Sequence, residues 1–310
     1  MGGGGGGTFS GGKTPEKVQQ KVRDAEQRSV NAAFDAEINE KLGKLLSAYN
    51  DRDAELVQTR LNDIKDALQE ALEETVDTVF GGSVAKHTYV DGLSDVDTLA
   101  ILNRTDLAGA DPQKALRALE RIVKNELAKD IEIEKGKIAL TLKYPDGMQI
   151  QMLPAIHVEE GIRVPAWAKN EWSTIDPEKF HNGLTKRNQQ CAGKLVPTIK
   201  LVKAINMSLP EGVQLSGYYI ESLAIAAFRD YGQACTPSRM LQHFFEQAQE
   251  LVLNPMTEKT GQSVRVDDYL GAANSQQRQK ISQVLSRISK RIRNANASMS
   301  IDQWLELFAL

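Results

Sequence analysis

The sequence predicts an α+β protein: a small strand-bearing half with N-terminal helices, plus an all-helical C-terminal lobe, the two forming a cleft. Two observations predict it. Apolar residues at helical spacing fill the first part of the chain and nearly everything after "WSTIDPEKF". Between them lie short alternating segments separated by turn residues, the pattern of strands and a hairpin. The expected division is a flexible glycine-rich tail over 1–13, a sheet-bearing core with its N-terminal helices over 14–165, and a helical lobe over 166–310. At 310 residues the chain is long enough for both halves to bury a core.

The tail "MGGGGGGTFSGGKT" formally matches a phosphate-binding loop from Gly7 to Thr14. That loop needs a strand to deliver it, and only Met and Gly precede Gly7, so a flexible tail is the better reading. Thr14 and Pro15 suit the cap and first turn of a helix. Val18, Val22, Ala25, Val30, Ala33, Phe34, Ile38, Leu42, Leu45 and Leu46 then recur at mostly three and four residues, a helix to about residue 48. After "NDRD" a second helix is expected from about Ala54 to Val79, striped by Leu56, Leu61, Ile64, Leu68, Leu72, Val76 and Val79, and stopped by Gly81-Gly82.

Strands follow. "SDVDTLAIL" is one, "DPQKALRALERIVKNELAK" a helix with an Asp-Pro start, and "IEIE" a brief strand. "KIALTLKY", the turn "PDG" and "MQIQML" read as a hairpin, with "PAI" ending the second strand. Beyond it, "NQQCAGKLVPTIKLVKAINMS", "YYIESLAIAAFRDYG", "SRMLQHFFEQAQELVL" and "SQQRQKISQVLSRISKRIRNA" are helical.

Bulk properties exclude several classes. Hydrophobic content of 41%, charged content of 25% and a net charge of −3 are those of an ordinary soluble domain, and a polyanion site must be a local patch. Cys191 and Cys235 give neither metal-ligand spacing nor a disulfide framework. No apolar run approaches a membrane span, and the N-terminus lacks signal-peptide and myristoylation patterns. The expected location is cytoplasmic.

The stretch "GGSVAKHTYVDGLSDVDTLAIL" carries the chemistry. Asp95 and Asp97 are i, i+2, so a strand puts both on one side. Paired carboxylates repel unless a cation lies between them, and they favour hard ions such as Mg²⁺ or Mn²⁺ that bridge to phosphates. A Gly-Gly-Ser turn offers backbone N–H groups and a hydroxyl to a phosphate. Together they suit phosphoryl or nucleotidyl transfer.

With those residues in view, the stretch resembles the signature of polymerase-β-like nucleotidyltransferases. "LTLKYPDGMQIQMLPAI" resembles the hairpin of bacterial cyclic GMP–AMP synthase-like nucleotidyltransferases. "WSTIDPEKF", "KLVPTIKLVKAIN", "LSGYYIESLAI" and "VRVDDYLGAANSQQRQKISQVLSRI" resemble the helical half that family shares with oligoadenylate synthetases. The resemblance implies that Gly82 and Ser83 hold the donor triphosphate and that Asp95 and Asp97 bind Mg²⁺ (or Mn²⁺). It implies that Lys200 or Lys203 reaches the β- and γ-phosphates with help from Ser216, and that Tyr218 or Tyr219 stacks on a base. It further implies a cyclic or linear oligonucleotide signal made from nucleoside triphosphates, an effector protein that responds to it, and a role in bacterial anti-phage defence.

One position departs from the family pattern. A third carboxylate is expected two residues before Leu-Pro-Ala, and this chain has Gln151. A glutamine offers a neutral carbonyl but neither charge nor basicity, which weakens the metal that activates the attacking hydroxyl. Four explanations stand: a working two-aspartate site, another acid such as Asp146 or Glu134 reaching in, nucleotide binding without turnover, or an engineered change. Two further function classes stay open: transfer onto a protein or RNA hydroxyl, and a nucleotide-binding pseudoenzyme or sensor. His87 lies between the turn and the aspartates, within range of a phosphate. "RISKRIR" (Arg287 to Arg293) is either a helix with one packed and one solvated face or a patch for an oligonucleotide product.

Overall fold

The computed structural model describes residues 15–49, 54–72, 77–80, 96–166, 170–256 and 267–308. Two helices, α1 (Pro15–Ala48) and α2 (Ala54–Leu72), precede strands β1 (Asp77–Phe80) and β2 (Val96–Ile101). Helix α3 (Pro112–Glu126) leads to β3 (Glu132–Lys135), β4 (Leu140–Lys143), β5 (Gln149–Val158), β6 (Gly161–Pro165) and β7 (Trp172–Ile175). The rest is helical: α4 (Pro177–Gln190), α5 (Leu195–Met207), α6 (Gly217–Ala227), α7 (Pro237–Leu251), α8 (Gln276–Ala297) and α9 (Ile301–Leu305), with short 3₁₀ turns between. The α+β class and the helical C-terminal half are as the sequence predicts.

The sheet runs β1-β2-β5-β4-β3, with β6 on the far half of β5 and β7 on β6. Among these pairs β2–β5 is parallel and the others are antiparallel. One face is closed by α2 and α3. Val57, Leu61, Ile64 and Leu68 of α2 meet Leu116, Leu119, Ile122 and Val123 of α3 over Ile150, Met152, Leu140 and Leu142. Each such side chain contributes about 1.5–3 kcal/mol on burial. Helix α3 starts where the sequence puts it. Asp111 accepts the Lys114 N–H at 3.0 Å and Pro112 occupies the first turn, a cap worth about 1 kcal/mol.

Two expectations are corrected. The second helix stops at Leu72, and residues 77–80 are a strand that pairs from Asp77↔Ile101 to Phe80↔Thr98. Val79 fits the helical stripe, but Thr78, Val79 and Phe80 are β-branched or aromatic, and pairing on an open strand edge outweighs spacing. Gly81-Gly82 therefore follow a strand rather than end a helix. Second, "PAI" does not end β5, which continues to Val158. Pro154 is tolerated because β4 pairing finishes at Met152 and β6 pairing begins at Ile156, so no ladder donor is missed on that side.

Strands β6 and β7 carry no strong sequence signal. Gly161 allows the β5–β6 hairpin: its φ is +136°, and a side chain there would collide with the Ile175 carbonyl. The N-terminal helices divide between the two cores. Ile38 and Leu42 of α1 are buried with Leu195, Ile199, Phe244, Leu285 and Trp304 in the helical lobe, whereas α2 lies on the sheet. No described helix is long and apolar enough to cross a membrane.

Candidate active site

The arrangement of the sheet face opposite α2 and α3 is set by pairing, and farther along this face Leu99, Ile101 and Leu153 pack with Ile162, Val164 and Ile175. Position 97 lies directly across the parallel β2–β5 ladder from Gln151, Gln151 across from Thr141, and Thr141 across from Glu134. Directly paired positions share a face, and residues alternate along each strand. Ile150 and Met152, between the members of this row, point into the core under α2 and α3. The row 97, 151, 141, 134 is therefore on the opposite face. Gln151 is half-buried there, and its carboxamide makes no hydrogen bond among the described residues.

The two acids considered as substitutes for the missing carboxylate are both engaged. Arg60 grips Asp146 with two parallel bonds of 3.0 and 2.8 Å, and the Met148 N–H adds a third. The guanidinium holds the Asp146 carboxyl below its ordinary range. Arg60 also lies over the Tyr144 ring, 3.9 Å from its centroid, so this cluster ties α2 to the hairpin turn. Glu134 shares the row with Gln151, but its carboxylate is 2.7 Å from Lys143, which lowers its pKa. Three strand spacings separate it from position 97.

The helical lobe contributes a second group around the start of α6. Ser216 caps the helix: its Oγ accepts the Tyr219 N–H at 3.2 Å. The first-turn N–H groups of a helix have no partner within it and favour an anion. Just upstream, Asn206 of α5 bonds both the carbonyl and the N–H of Leu215, at 2.9 and 2.7 Å. Just downstream, Gly217 stands where a Cβ would touch Cε and Nζ of Lys203 at 3.4 Å. Lys203 is only 4% exposed and lies 2.9 Å from Glu221, which is 1% exposed. Of the two lysines predicted to reach phosphates, Lys203 is thus the buried, ion-paired one beside Ser216. Lys200 is half-buried one turn earlier. Tyr218 is half-buried with its ring 6.2 Å from that of Phe180, while Tyr219 is fully buried in the lobe core.

Glu221 and Asn206 were not anticipated. A signal for Glu221 exists: one carboxylate within the apolar run "YYIESLAIAA" needs a buried cation, and Lys203 lies in the similarly apolar "KLVPTIKLVKAIN". Gly82, Ser83, His87 and Asp95 lie outside the described residues, and only the backbone position of Asp97 is described. In "RISKRIR", Ile288 and Ile292 are buried and Arg287, Lys290, Arg291 and Arg293 are exposed, with Arg291 3.5 Å from Glu306.

Among the described residues no group of three or more acidic, histidine or cysteine side chains gathers as for a metal. By residue type, Asp97 and Gln151 each bring an oxygen donor, and that chemistry fits a hard divalent cation.

Residues 37–188 match the model of the Second Messenger Oligonucleotide or Dinucleotide Synthetase domain. No curated protein matches the chain. Among solved structures, it is similar to the CD-NTase CdnG of Bradyrhizobium diazoefficiens in complex with GTP, with a TM-score of 0.66 and 14% identity over 87% of this chain and 95% of that one. It is also similar to E. coli MS115-1 CdnC with ATP, with a TM-score of 0.63 and 13% identity over 90% and 97% of the two chains. A third is the Vibrio cholerae cyclic AMP-GMP synthase DncV with the linear intermediate pppA(3′,5′)pG, with a TM-score of 0.59 and 12% identity over 94% and 88%. At these identities the likenesses concern the fold.

Proposed function

Because this chain belongs to the bacterial cyclic GMP–AMP synthase-like nucleotidyltransferases, we propose that it transfers a nucleoside monophosphate from a nucleoside triphosphate to a hydroxyl of a second nucleotide. Pyrophosphate leaves, and the product is a cyclic or linear oligonucleotide signal. The observation that carries this reading is that position 97 lies directly across from position 151 on the sheet face opposite α2 and α3, the two places where the family signature has acids.

In this reading Asp95 and Asp97 hold Mg²⁺ or Mn²⁺, with the Gln151 carbonyl as a neutral neighbour. Such an ion, when bound, neutralises charge on the transferring phosphoryl group. Gly82 and Ser83 receive the donor triphosphate. Ser216 donates its hydroxyl proton to a phosphate oxygen at the start of α6. Lys200 supplies positive charge there, Lys203 adds an ammonium shared with Glu221, and Tyr218 offers a ring face to a base. Gln151 cannot take a proton from the attacking hydroxyl, so attack at this centre is slow and donor binding is retained. We assign the product to an effector protein that responds to it, in anti-phage defence. The solved complex of the similar CdnC with a HORMA protein supports a protein partner as well.

A second reading, a nucleotide-binding sensor without turnover, is favoured by Gln151 alone. Mass analysis after incubation with the four ribonucleoside triphosphates and Mg²⁺ or Mn²⁺ separates the readings. Free oligonucleotide with pyrophosphate supports the proposal. Mass added to protein or RNA points to a macromolecular acceptor, and bound, unchanged nucleotide points to the sensor.

A further inference from the structure

Three consecutive backbone residues at the start of α6 are held from two sides, the outer two by α5 and the middle one by a distant segment. Asn206 of α5 holds Leu215, and Lys203 lies against Gly217. Between them, the Ser216 N–H donates to the Tyr269 hydroxyl at 3.1 Å, from a segment 53 residues away. Tyr269 also packs its ring edge-on against Tyr219, with centroids 6.4 Å apart at 85°.

The turn that carries Tyr269 is itself fixed. Arg278, with no exposed surface, is 3.0 Å from the Asp267 carboxylate. Its guanidinium also donates to the carbonyls of Gly271, Val252, Asn254 and Asp267 at 2.9 to 3.2 Å. The second role of Asp267 is to accept the Met256 N–H at 2.9 Å. Leu270, next to Tyr269, is buried in the lobe core. Val252, Asn254, Asp267 and Gly271 are thus drawn around one buried cation, and Tyr269 reaches from the turn at 268–270 onto the backbone of Ser216. A cation buried this completely and bonded through all three guanidinium nitrogens is far more constraint than an exposed connecting loop needs.

We infer that Tyr269 is a positioning residue for the donor phosphates: its hydroxyl fixes the Ser216 main chain, and so aims the Ser216 hydroxyl and the first N–H groups of α6 at the triphosphate. The inference rests on the nucleotide-binding reading of Ser216 given above. Pre-organising one donor in this way avoids ordering it at the moment of binding.

The test is calorimetric titration of ATP, GTP and inorganic tripolyphosphate, each with Mg²⁺, into the full chain, Ser216→Ala, Tyr269→Phe and the double variant. Tyr269→Phe is expected to weaken all three probes by about tenfold, equivalent to about 1.4 kcal/mol. In the Ser216→Ala background the same substitution is expected to change affinity by less than about twofold, because the group it positions is already gone. Equal losses in both backgrounds, or no loss in the parent, overturn the inference. If the parent binds none of the probes, the nucleotide reading fails and takes this inference with it. A parent that binds, with Ser216→Ala weakened and Tyr269→Phe unchanged, overturns this inference alone. Should Tyr269→Phe not fold, 3,5-difluorotyrosine at 269 keeps the shape with a weaker acceptor oxygen. It is expected to cost about twofold or more in affinity, and parental affinity counts against the inference.

Discussion

Gln151→Asp places a carboxylate one strand spacing from position 97. Neighbouring strands are about 4.8 Å apart, and two unit charges at that distance repel by about 3 kcal/mol at an effective dielectric of about 20. That energy equals about two pKa units, so without metal the new pair titrates well above the usual carboxylate range. The sign follows from linkage. A folded-state pKa raised above the unfolded value means that stability is intact below about pH 4 and is lost as pH rises through the folded value. The metal-free variant should therefore match the parent in acid and melt about 6 °C or more below it at neutral pH. Mg²⁺ or Mn²⁺ relieves the repulsion, so the metal-dependent rise in Tm should be larger in the variant than in the parent. Pyrophosphate release from nucleoside triphosphates should be faster too. Thermal unfolding across pH, with metal and with chelator, measures all but the last. Parent and variant melting together at every pH, with equal responses to metal, would refute the placing of positions 97 and 151 in one site.

Three further outcomes are expected. Removing one member of the Lys203–Glu221 pair, by Lys203→Met or Glu221→Gln, should cost about 3–5 kcal/mol in urea unfolding, because the other charge stays buried and loses its partner at 2.9 Å. The double variant Lys203→Met/Glu221→Leu should lose less than either single one, and simple additivity would contradict the pairing. Arg60 lowers the pKa of Asp146, so this link contributes stability above the unfolded carboxylate value and loses it as pH falls through the folded one. Asp146→Asn should accordingly be less stable than the parent at neutral pH and converge with it in strong acid, as followed by circular dichroism. Burial pushes Tyr144 up to about 12, with Arg60 opposing, so its contribution is present below the unfolded value and lost as pH rises through about 12. Tyr144→Phe should flatten the alkaline limb of unfolding; a limb as steep as the parent's would assign it to other groups.

How much was legible depended on whether a local rule or a distant contact decided each element. The alternation in "MQIQML" alone separated Ile150 and Met152 from Gln149, Gln151 and Leu153, and the structure keeps that separation. The cap at Asp111, with Pro112 in the first turn, was equally local. The end of α2 was not, because Val79 satisfies a helical stripe and a strand pairing equally well, and only β2 settles which. The placing of α1 was also hidden: its apolar stripe says that it packs, not on which core. On the site, the residue types were readable, but the grip of Asn206 on the Leu215 backbone and of Tyr269 on the Ser216 backbone joins segments whose spacing in sequence carries no pattern.

The division of α1 and α2 between the cores gives the chain two passages from one half to the other. One lies between Ala48 and Ala54, the other at the step from β7 to α4, where Asp176 accepts the Lys179 N–H at 2.8 Å. Two bodies joined by a single thread can swing in any direction; two threads leave one easy rotation, about the line through both. Stiffening the step at Asp176, by proline or by a cross-link, is therefore expected to restrain the relative movement of both halves at once.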